Sequence, residues 1–263
     1  MAGPRKNAPP TRRRGVAACV GVLAVAVLAG GCAAPADLTA DQRIASSPAT
    51  TTERAVAFGP VAPATSVQRV PFRPVVRRVT RADVRYSYAP GCPVTPQQLR
   101  SLRIGYWGFD GKLHRGTLIV ASWAIATVRK AFRAAFRHGF AIRQIKPVEK
   151  YYRGSRAGMA KSDARSMRAD NTSAFNCRTA TNSGRYSQHS WGDAVDVNPK
   201  ENPHVLGGRT YPANGARFAD RSRKHAGILR PGSAMTRTMR SRGWTWGGTY
   251  RSPDYQHFSR TGA

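Results

Sequence analysis

The chain has 263 residues, which is enough for one catalytic domain with accessory segments or for two small domains. It carries 43 Lys and Arg residues against 13 Asp and Glu residues, and its formal net charge is +30. A charge of this size is typical of nucleic-acid-binding proteins, because Lys and Arg neutralise phosphates. The N-terminal residues argue against that class, because they predict export from the cytoplasm.

The first 32 residues have the organisation of a secretory signal peptide. Arg12, Arg13 and Arg14 precede an uncharged apolar run over residues 16–29, and small residues follow it up to Cys32. A basic start, a short apolar centre and small residues at the cleavage point define such a peptide. The run is also too short for a comfortable membrane span. We therefore expect the protein outside the cytoplasm.

Cys32 stands where a bacterial lipoprotein carries its lipidated cysteine. The preceding residues resemble a lipobox, although Leu28 lies one position further upstream than the usual pattern. We predict lipidation of Cys32 and attachment to the cell membrane. The alternative is cleavage after Ala34 or Ala36, which would give a soluble secreted protein. In either case the cationic chain would be attracted to anionic membrane lipids or wall polymers, unless much of its charge is only a solvated face.

Two of the four cysteines are candidates for a disulfide. Cys19 leaves with the signal peptide and Cys32 is the predicted lipidation site, so Cys92 and Cys177 remain. An even number of cysteines in an oxidising compartment is typical of disulfide-bonded proteins. We predict a bond between these two; the alternative is a pair of buried free thiols. We do not expect these cysteines to bind zinc, because neither has other potential zinc ligands close to it in the sequence.

Composition divides the rest of the chain into a tether and one domain. Residues 33–88 are rich in Pro, Ala, Thr and Arg, and repeated prolines interrupt any periodicity. This composition predicts a largely disordered tether that spaces the domain from the membrane. Residues 89–263 mix helical and strand patterns, which predicts one compact α+β domain with a small, mostly antiparallel sheet flanked by helices.

Local signals predict the elements of this domain. Asp110-Gly111 between two apolar runs is a hairpin signal, and Gly139 is a typical helix terminator. The predicted elements are a short helix over 95–102, a hairpin of 103–108 with 113–120, an amphipathic helix from 125 that stops at Gly139, a strand over 140–145, a helix over 233–240 and a strand over 244–247.

Two short motifs combine histidine with aspartate, although acidic residues are scarce in this chain. His189 and Asp196 lie in a segment with small residues such as Gly192, which let the chain turn tightly between them. Asp254 and His257 lie three positions apart near the C-terminus. Imidazole nitrogen and carboxylate oxygen are standard zinc ligands, and three such ligands leave a fourth position open for water.

His189, Asp196 and His257 can supply these three ligands, and Asp254 is then the nearest free carboxylate. A carboxylate beside a metal is the natural general base for water. Asp196 lies in an alternating segment typical of a strand. On a regular strand Asp254 and His257 would point to opposite faces, so we expect a bend between them. The remaining histidines after the signal peptide are expected to be surface or structural residues: His114, His138, His204 and His225.

These residues resemble those of a known family, the D-alanyl-D-alanine carboxypeptidase and L-alanyl-D-glutamate endopeptidase family of zinc peptidases. The resemblance extends over roughly residues 89–260, and the hedgehog signalling domain shares the same zinc scaffold. The matching motifs are Ser187-x-His189-x-x-Gly192-x-Ala194-x-Asp196 and Asp254-x-x-His257-Phe258, and Gly243-Trp-x-Trp246-Gly-Gly is similar to the endopeptidase branch.

The resemblance implies a zinc site at the face of the sheet, formed by His189, Asp196 and His257. Zinc would polarise the scissile carbonyl, and Asp254 would take a proton from water and pass it to the leaving amine. The substrate implied is a short peptide of peptidoglycan that contains D-residues. The family contains carboxypeptidases and endopeptidases, and the sequence leaves open which bond is cut.

Two more residues are candidates for the substrate site. An arginine commonly assists in such enzymes, and Arg178 is our candidate for that catalytic and substrate-binding role. Ser187 is a candidate for a hydrogen bond near the metal or the substrate. The chain departs from the family pattern in having Ser259 where many members have glutamate, which alters the support around the site. It also has Asp254 where some members carry glutamate, and neither difference removes a required group.

The sequence therefore leaves two hypotheses of different classes. The first is an exported zinc metallopeptidase that hydrolyses peptidoglycan stem peptides or cross-links. The second is a non-catalytic zinc-containing module that binds the wall through its cationic surface, as the hedgehog scaffold shows is possible. Asp254 favours the enzyme, because a purely structural zinc site needs no free carboxylate beside it.

Overall fold

A computed structural model of the protein describes residues 72–155, 159–180 and 183–262, without the side chains of residues 159 and 160. Helices and short strands are mixed along this part of the chain, which confirms the α+β class. The strands are β1 (Val75–Arg78), β2 (Leu99–Trp107), β3 (Leu113–Ala121), β4 (Gln144–Ile145), β5 (Asn171–Thr172), β6 (Ala194–Asp196), β7 (His204–Leu206), β8 (Arg209–Tyr211), β9 (Thr245–Trp246) and β10 (His257–Ser259). The α-helices are α1 (Ile125–Arg137), α2 (Met159–Arg168) and α3 (Ala234–Arg240).

The strands of the described residues form several small sheets rather than one large sheet. β1, β2 and β3 form an antiparallel sheet with β2 in the centre. β10 lies between β6 and β9 in a second antiparallel sheet, and β7 and β8 form a hairpin. β4 and β5 pair in parallel. The mostly antiparallel pairing expected from the sequence is confirmed, and the second sheet carries the candidate site.

The main hydrophobic core lies between the first sheet and α1. Val128 and Phe132 project from the apolar face of α1, and Leu102 and Leu118 project from β2 and β3. Burying each such side chain stabilises the fold by roughly 1.5–3 kcal/mol. The helix ends where expected, because Gly139 adopts a positive φ of 63° that other residues avoid. This core forms one wall behind the second sheet and fixes its position.

The folded region begins earlier than the sequence predicted. Phe72 packs in the main core, β1 pairs with β2, and Val84 is fully buried in a second cluster. A proline just before β1 does not oppose this, because proline is tolerated at the start of an edge strand. Residues 72–88 therefore belong to the domain, and the boundary expected at residue 89 is corrected. The predicted signal peptide, the predicted lipidation site Cys32 and residues 33–71 lie outside the described residues.

Two local predictions were wrong in extent, and one helix was missed. The hairpin around Asp110-Gly111 is confirmed, but the helix expected over 95–102 is a single 3₁₀ turn, Pro96–Gln98. Pairing of β2 with β3 over nine residues overrides the helix signal. The strand expected over 140–145 is reduced to β4. α2 was missed because serines such as Ser162 and Ser166 occupy its buried face, where large apolar residues usually indicate a helix.

Cys92 and Cys177 are joined in a disulfide, with their Cα atoms 6.0 Å apart across a sequence separation of 85 residues. Cys177 is buried in the second cluster with Val84 and Phe175. The bond ties the N-terminal part of the domain to the segment that leads into the candidate site. None of the described helices is long and apolar enough to cross a membrane.

Candidate metal centre

The structure brings together the three residues expected as zinc ligands. Asp196 ends β6 and His257 begins β10, and the antiparallel register places them directly opposite each other. His189 comes from a 3₁₀ turn, Gln188–Trp191, that precedes β6. One ligand atom from each residue lies within 4.8 Å of the others. Among the described residues, this is the group of three such side chains that could hold a metal ion.

Gly192 allows the tight return from His189 to Asp196. Its φ is 70°, in the left-handed region that favours glycine. A Cβ at this position would lie 2.8 Å from the backbone nitrogen of Ala121 and 2.9 Å from a methyl carbon of Leu99. The backbone of the turn is thereby packed directly on the first sheet, with a hydrogen bond of 2.7 Å from Ala121 N–H to Gly192 O. The main core therefore positions the first ligand.

Both histidines present a ring nitrogen to the Asp196 carboxylate. His189 Nε2 lies 3.2 Å from Asp196 Oδ2, and His257 Nδ1 lies 3.0 Å from the other carboxylate oxygen, Oδ1. The donor set of two imidazole nitrogens and one carboxylate is also a known combination for catalytic zinc.

The outer nitrogen of each imidazole is held by a hydrogen bond. His189 Nδ1 lies 2.6 Å from the carbonyl oxygen of Ala174, which can only accept, so Nδ1 carries the proton. His257 Nε2 lies 3.2 Å from Oε1 of Gln188. Such contacts fix the tautomer and leave the inner nitrogen free to bind a metal. Both histidines are therefore oriented as ligands.

Mutual electrostatics couple the three ligands. Burial lowers the pKa of His189, but the Asp196 carboxylate raises it by more, so the net pKa lies above its ordinary value. Burial raises the pKa of Asp196, but His189 and His257 together bring it well below its ordinary range. Asp196 therefore stays ionised, which is the form that binds metal. Protons compete with a metal for the histidines, so metal binding should release protons.

Asp254 lies beside the three ligands on a separate turn. Its backbone carbonyl accepts a hydrogen bond of 3.2 Å from His257 N–H, so the chain turns between Asp254 and β10 and the expected bend is confirmed. An isolated bridge pairs Asp254 with His204 at the start of β7. This bridge and the turn hold the carboxylate in place from both sides.

The Asp254 carboxylate is largely buried but has few hydrogen-bond partners. Its Oδ1 has no hydrogen-bond partner among the described residues, and its Oδ2 lies 3.9 Å from His204 Nδ1. Burial raises the pKa of Asp254; the His257 charge opposes the rise and the Asp196 charge adds to it. A carboxyl group with a raised pKa accepts a proton more readily than an ordinary carboxylate does.

Arg178 is near the site but is already paired. Its Nη2 lies 2.8 Å from Asp163 Oδ2, and both side chains are largely buried. Its charge acts on His189 and lowers the pKa of that histidine slightly against the effect of Asp196. Ser187 is buried at the N-terminal end of the turn that carries His189, and its backbone N–H donates to Arg178 O. Both residues therefore border the site.

The sequence analysis missed three residues that the fold brings to the site. Gln188 supports His257, His204 lies beside Asp254, and Asp163 pairs with Arg178. His204 was expected to be a surface or structural residue, and the structure places it beside Asp254. Only Gln188 had a local signal, because it adjoins a motif residue. The other two are 50 and 15 positions from their partners, and no local pattern links them.

Comparison with known proteins agrees with the motif resemblance. Residues 181–260 match the family model described as D-alanyl-D-alanine carboxypeptidase. The matched segment contains both motifs, with all three candidate ligands and Asp254. No curated protein and no solved structure matches the chain. The resemblance drawn from the motifs is confirmed over this segment, and it indicates a hydrolytic peptidase.

Proposed function

We propose that this protein is an exported zinc-dependent peptidase that hydrolyses peptide bonds in peptidoglycan. The bond would lie in the stem peptides or cross-links, as in a D,D-carboxypeptidase or an L-Ala-D-Glu-type endopeptidase. The observation that carries the proposal is the convergence of His189, Asp196 and His257 beside the free carboxylate of Asp254. A site that only stabilised the fold would not need that carboxylate, whose burial costs free energy.

His189, Asp196 and His257 would hold the zinc ion. When bound, zinc supplies a Lewis acid for the scissile carbonyl and increases the acidity of water at the site. The protein's own contribution begins with orientation: Ala174 O fixes the ring of His189, and Gln188 fixes the ring of His257. With only three protein ligands, a bound zinc ion would have a fourth position for water or substrate, as catalytic sites do.

Asp254 would move the proton. Its carboxylate would accept a proton from the attacking water and then donate it to the leaving amine, so that one group acts as base and then as acid. The raised pKa of Asp254 favours the first step, because a more basic carboxylate accepts the proton from water more readily and holds it until the leaving amine takes it. His204 lies close enough to Asp254 to influence that exchange through its charge.

Arg178 would bind an anionic part of the substrate or stabilise developing negative charge. Its pairing with Asp163 holds the guanidinium in one orientation, and its Nε has no hydrogen-bond partner among the described residues. This pairing and the hydrogen bond from Nη1 to Thr179 O thus orient the guanidinium in advance of substrate binding. Ser187, in the adjacent backbone, would hydrogen-bond near the metal or substrate.

The cellular location is part of the same proposal. The signal-like N-terminus and Cys32 support a membrane-anchored lipoprotein on the outer face of the cell, with a secreted form as the alternative. The Cys92–Cys177 disulfide supports an oxidising compartment, since disulfides persist there. Peptidoglycan is the substrate available in that location.

The test is a mass-spectrometric digest of purified peptidoglycan by the zinc-loaded protein. We expect new fragments whose masses identify the bond, and we expect Asp254→Ala to abolish them. Asp220→Ala is the matched control, because Asp220 is an exposed acid whose Oδ1 contacts only its neighbour Ser222. If folded, zinc-bound protein releases no fragments and still sediments with peptidoglycan, the non-catalytic wall-binding module replaces this proposal.

A further inference from the structure

The first sheet has an inner face towards α1 and an outer face on the opposite side. Other residues pack over the outer face at one end only. The face towards α1 belongs to the main core, whereas the second cluster covers the opposite face around Leu99 and Ile119. Cross-strand register places Arg77 beside Ser101, and Val75 beside Arg103, on that same outer face. At this end no hydrophobic cluster of the described residues covers the sheet. The uncovered end is a groove of about 610 Å³.

Five cationic side chains converge on this groove. All five are exposed, and the groove is also lined by the polar residues Ser101 and Thr117 and by the apolar residues Val75, Ile145 and Pro147. The cationic residues are Arg77, Arg103, Arg115, Lys146 and Lys150. They come from three strands and from the segment after β4, so two walls of the groove contribute charge. Convergence of this kind concentrates positive potential in a concave site.

None of the five cations forms an ion pair with a carboxylate of the described residues. A neighbouring hollow of about 210 Å³ does contain Asp83 and Glu149. Both carboxylates are engaged locally: Asp83 accepts bonds from Thr80, and Glu149 accepts bonds from Tyr86 and Ser87. Because these two carboxylates are negatively charged, they would repel an anion at this end of the groove.

We propose that this groove binds a linear phosphodiester polymer of the cell envelope, separately from the metal centre. The shape favours an extended chain over a flat bilayer, because a planar surface cannot contact cations on both walls of a concavity. The chemistry favours phosphodiesters, because each repeat carries a permanently ionised group whose paired oxygens match the guanidinium fork. Three of the five cations are arginines.

Such a site would hold the protein in the wall without occupying the catalytic centre. If the proposed peptidase function is correct, the polymer would keep the enzyme beside its substrate. Binding through exposed charges should weaken steeply with salt, because counterions compete for both partners. The site is also testable without any catalysis, since no groove residue is a candidate metal ligand.

The experiment measures binding of a short synthetic poly(glycerol phosphate) by fluorescence anisotropy, with the metal-free protein at several salt concentrations. The groove variant is Arg77→Gln/Arg103→Gln/Lys146→Gln. The control variant, Lys130→Gln/Arg137→Gln/Arg240→Gln, removes the same charge from exposed positions of α1 and α3. Thermal melting of both variants verifies that they are folded.

We expect the groove variant to bind the polymer roughly tenfold or more weakly and with a shallower salt dependence. The control variant should keep most of the affinity. Equal losses in the two variants would overturn the proposal, because binding would then follow net charge alone. Binding to phosphatidylglycerol vesicles with no binding to the polymer would also overturn it and assign the surface to the membrane. Peptidoglycan digestion, measured in parallel, tests the peptidase separately.

Discussion

The side-chain oxygen of Gln188 lies 3.2 Å from Nε2 of His257, on the opposite side of the imidazole from Asp196. Gln188 adjoins His189, so one short turn supplies a ligand and also the group that orients another ligand. His189 and His257 are therefore both positioned by a single 3₁₀ turn, Gln188–Trp191. The turn is followed by Gly192, which packs on the first sheet. Disturbing this turn should affect both histidines.

Removing the amide of Gln188 should weaken zinc binding. Gln188→Ala takes away the acceptor for His257 Nε2–H, and loss of such a support typically costs 10–100-fold in metal affinity. Gln188→Glu keeps an acceptor and should retain most of the affinity. Competition with a chromophoric chelator measures both. Gln97→Ala, at an exposed position outside the site, is the control; equal affinities for Gln188→Ala and the control would contradict the orienting role.

Asp254 should matter for turnover and not for metal binding. Asp254→Asn keeps the shape of the side chain but removes the base, so kcat/KM on a peptidoglycan peptide should fall by roughly 10²–10⁴. Zinc affinity should change little, because Asp254 lies outside the group of three ligands. Steady-state kinetics and chelator competition on the same preparation separate the two. A large loss of zinc affinity in the variant would instead make Asp254 a ligand.

Glu201 should make the protein less stable as pH rises. Its side chain is almost fully buried, and burial, together with the neighbouring Asp170, raises its pKa to about 8. Between its ordinary pKa and about 8, the folded carboxyl group holds a proton that the unfolded chain releases. The free energy of unfolding therefore falls with rising pH across this window, by on the order of a few kcal/mol.

Glu201→Gln removes that dependence, because an amide keeps the shape of the protonated carboxyl group and does not titrate. Melting temperatures of the two proteins from acidic to alkaline pH give the comparison. The variant should match the wild type at low pH and exceed it above the pKa of Glu201. If the melting temperatures of the two proteins changed with pH in the same way, Glu201 would not be the titrating group.

The disulfide should stabilise the domain without being needed for metal binding. Cys92→Ser/Cys177→Ser removes a crosslink that closes a long loop, and such losses typically cost 2–5 kcal/mol. The melting temperature should fall, whereas zinc affinity at low temperature should persist because neither cysteine is a candidate ligand. Thiol titration of the unfolded wild-type protein beside the unfolded double variant supplies the control, and two more reactive thiols in the wild type than in the variant would mean that the bond does not form.

Local sequence determined the chemistry of the candidate site and much of its immediate backbone. The identities and spacing of His189, Asp196, Asp254 and His257 were enough to predict a metal-ligand set with a free carboxylate. Periodicity was enough for α1, and Asp-Gly was enough for the hairpin of β2 and β3. These features depend on neighbours within one turn or one hairpin, where side-chain type and spacing have direct geometric consequences.

Only the tertiary structure decided how the parts meet. The contact between Asp196 and His257 spans 61 positions and follows from the register of β6 with β10. The bridge between His204 and Asp254 and the pairing of β1 with β2 also depend on contacts between residues far apart in the sequence. Strand pairing is specified by long-range burial of the whole domain, so local sequence carries little information about it.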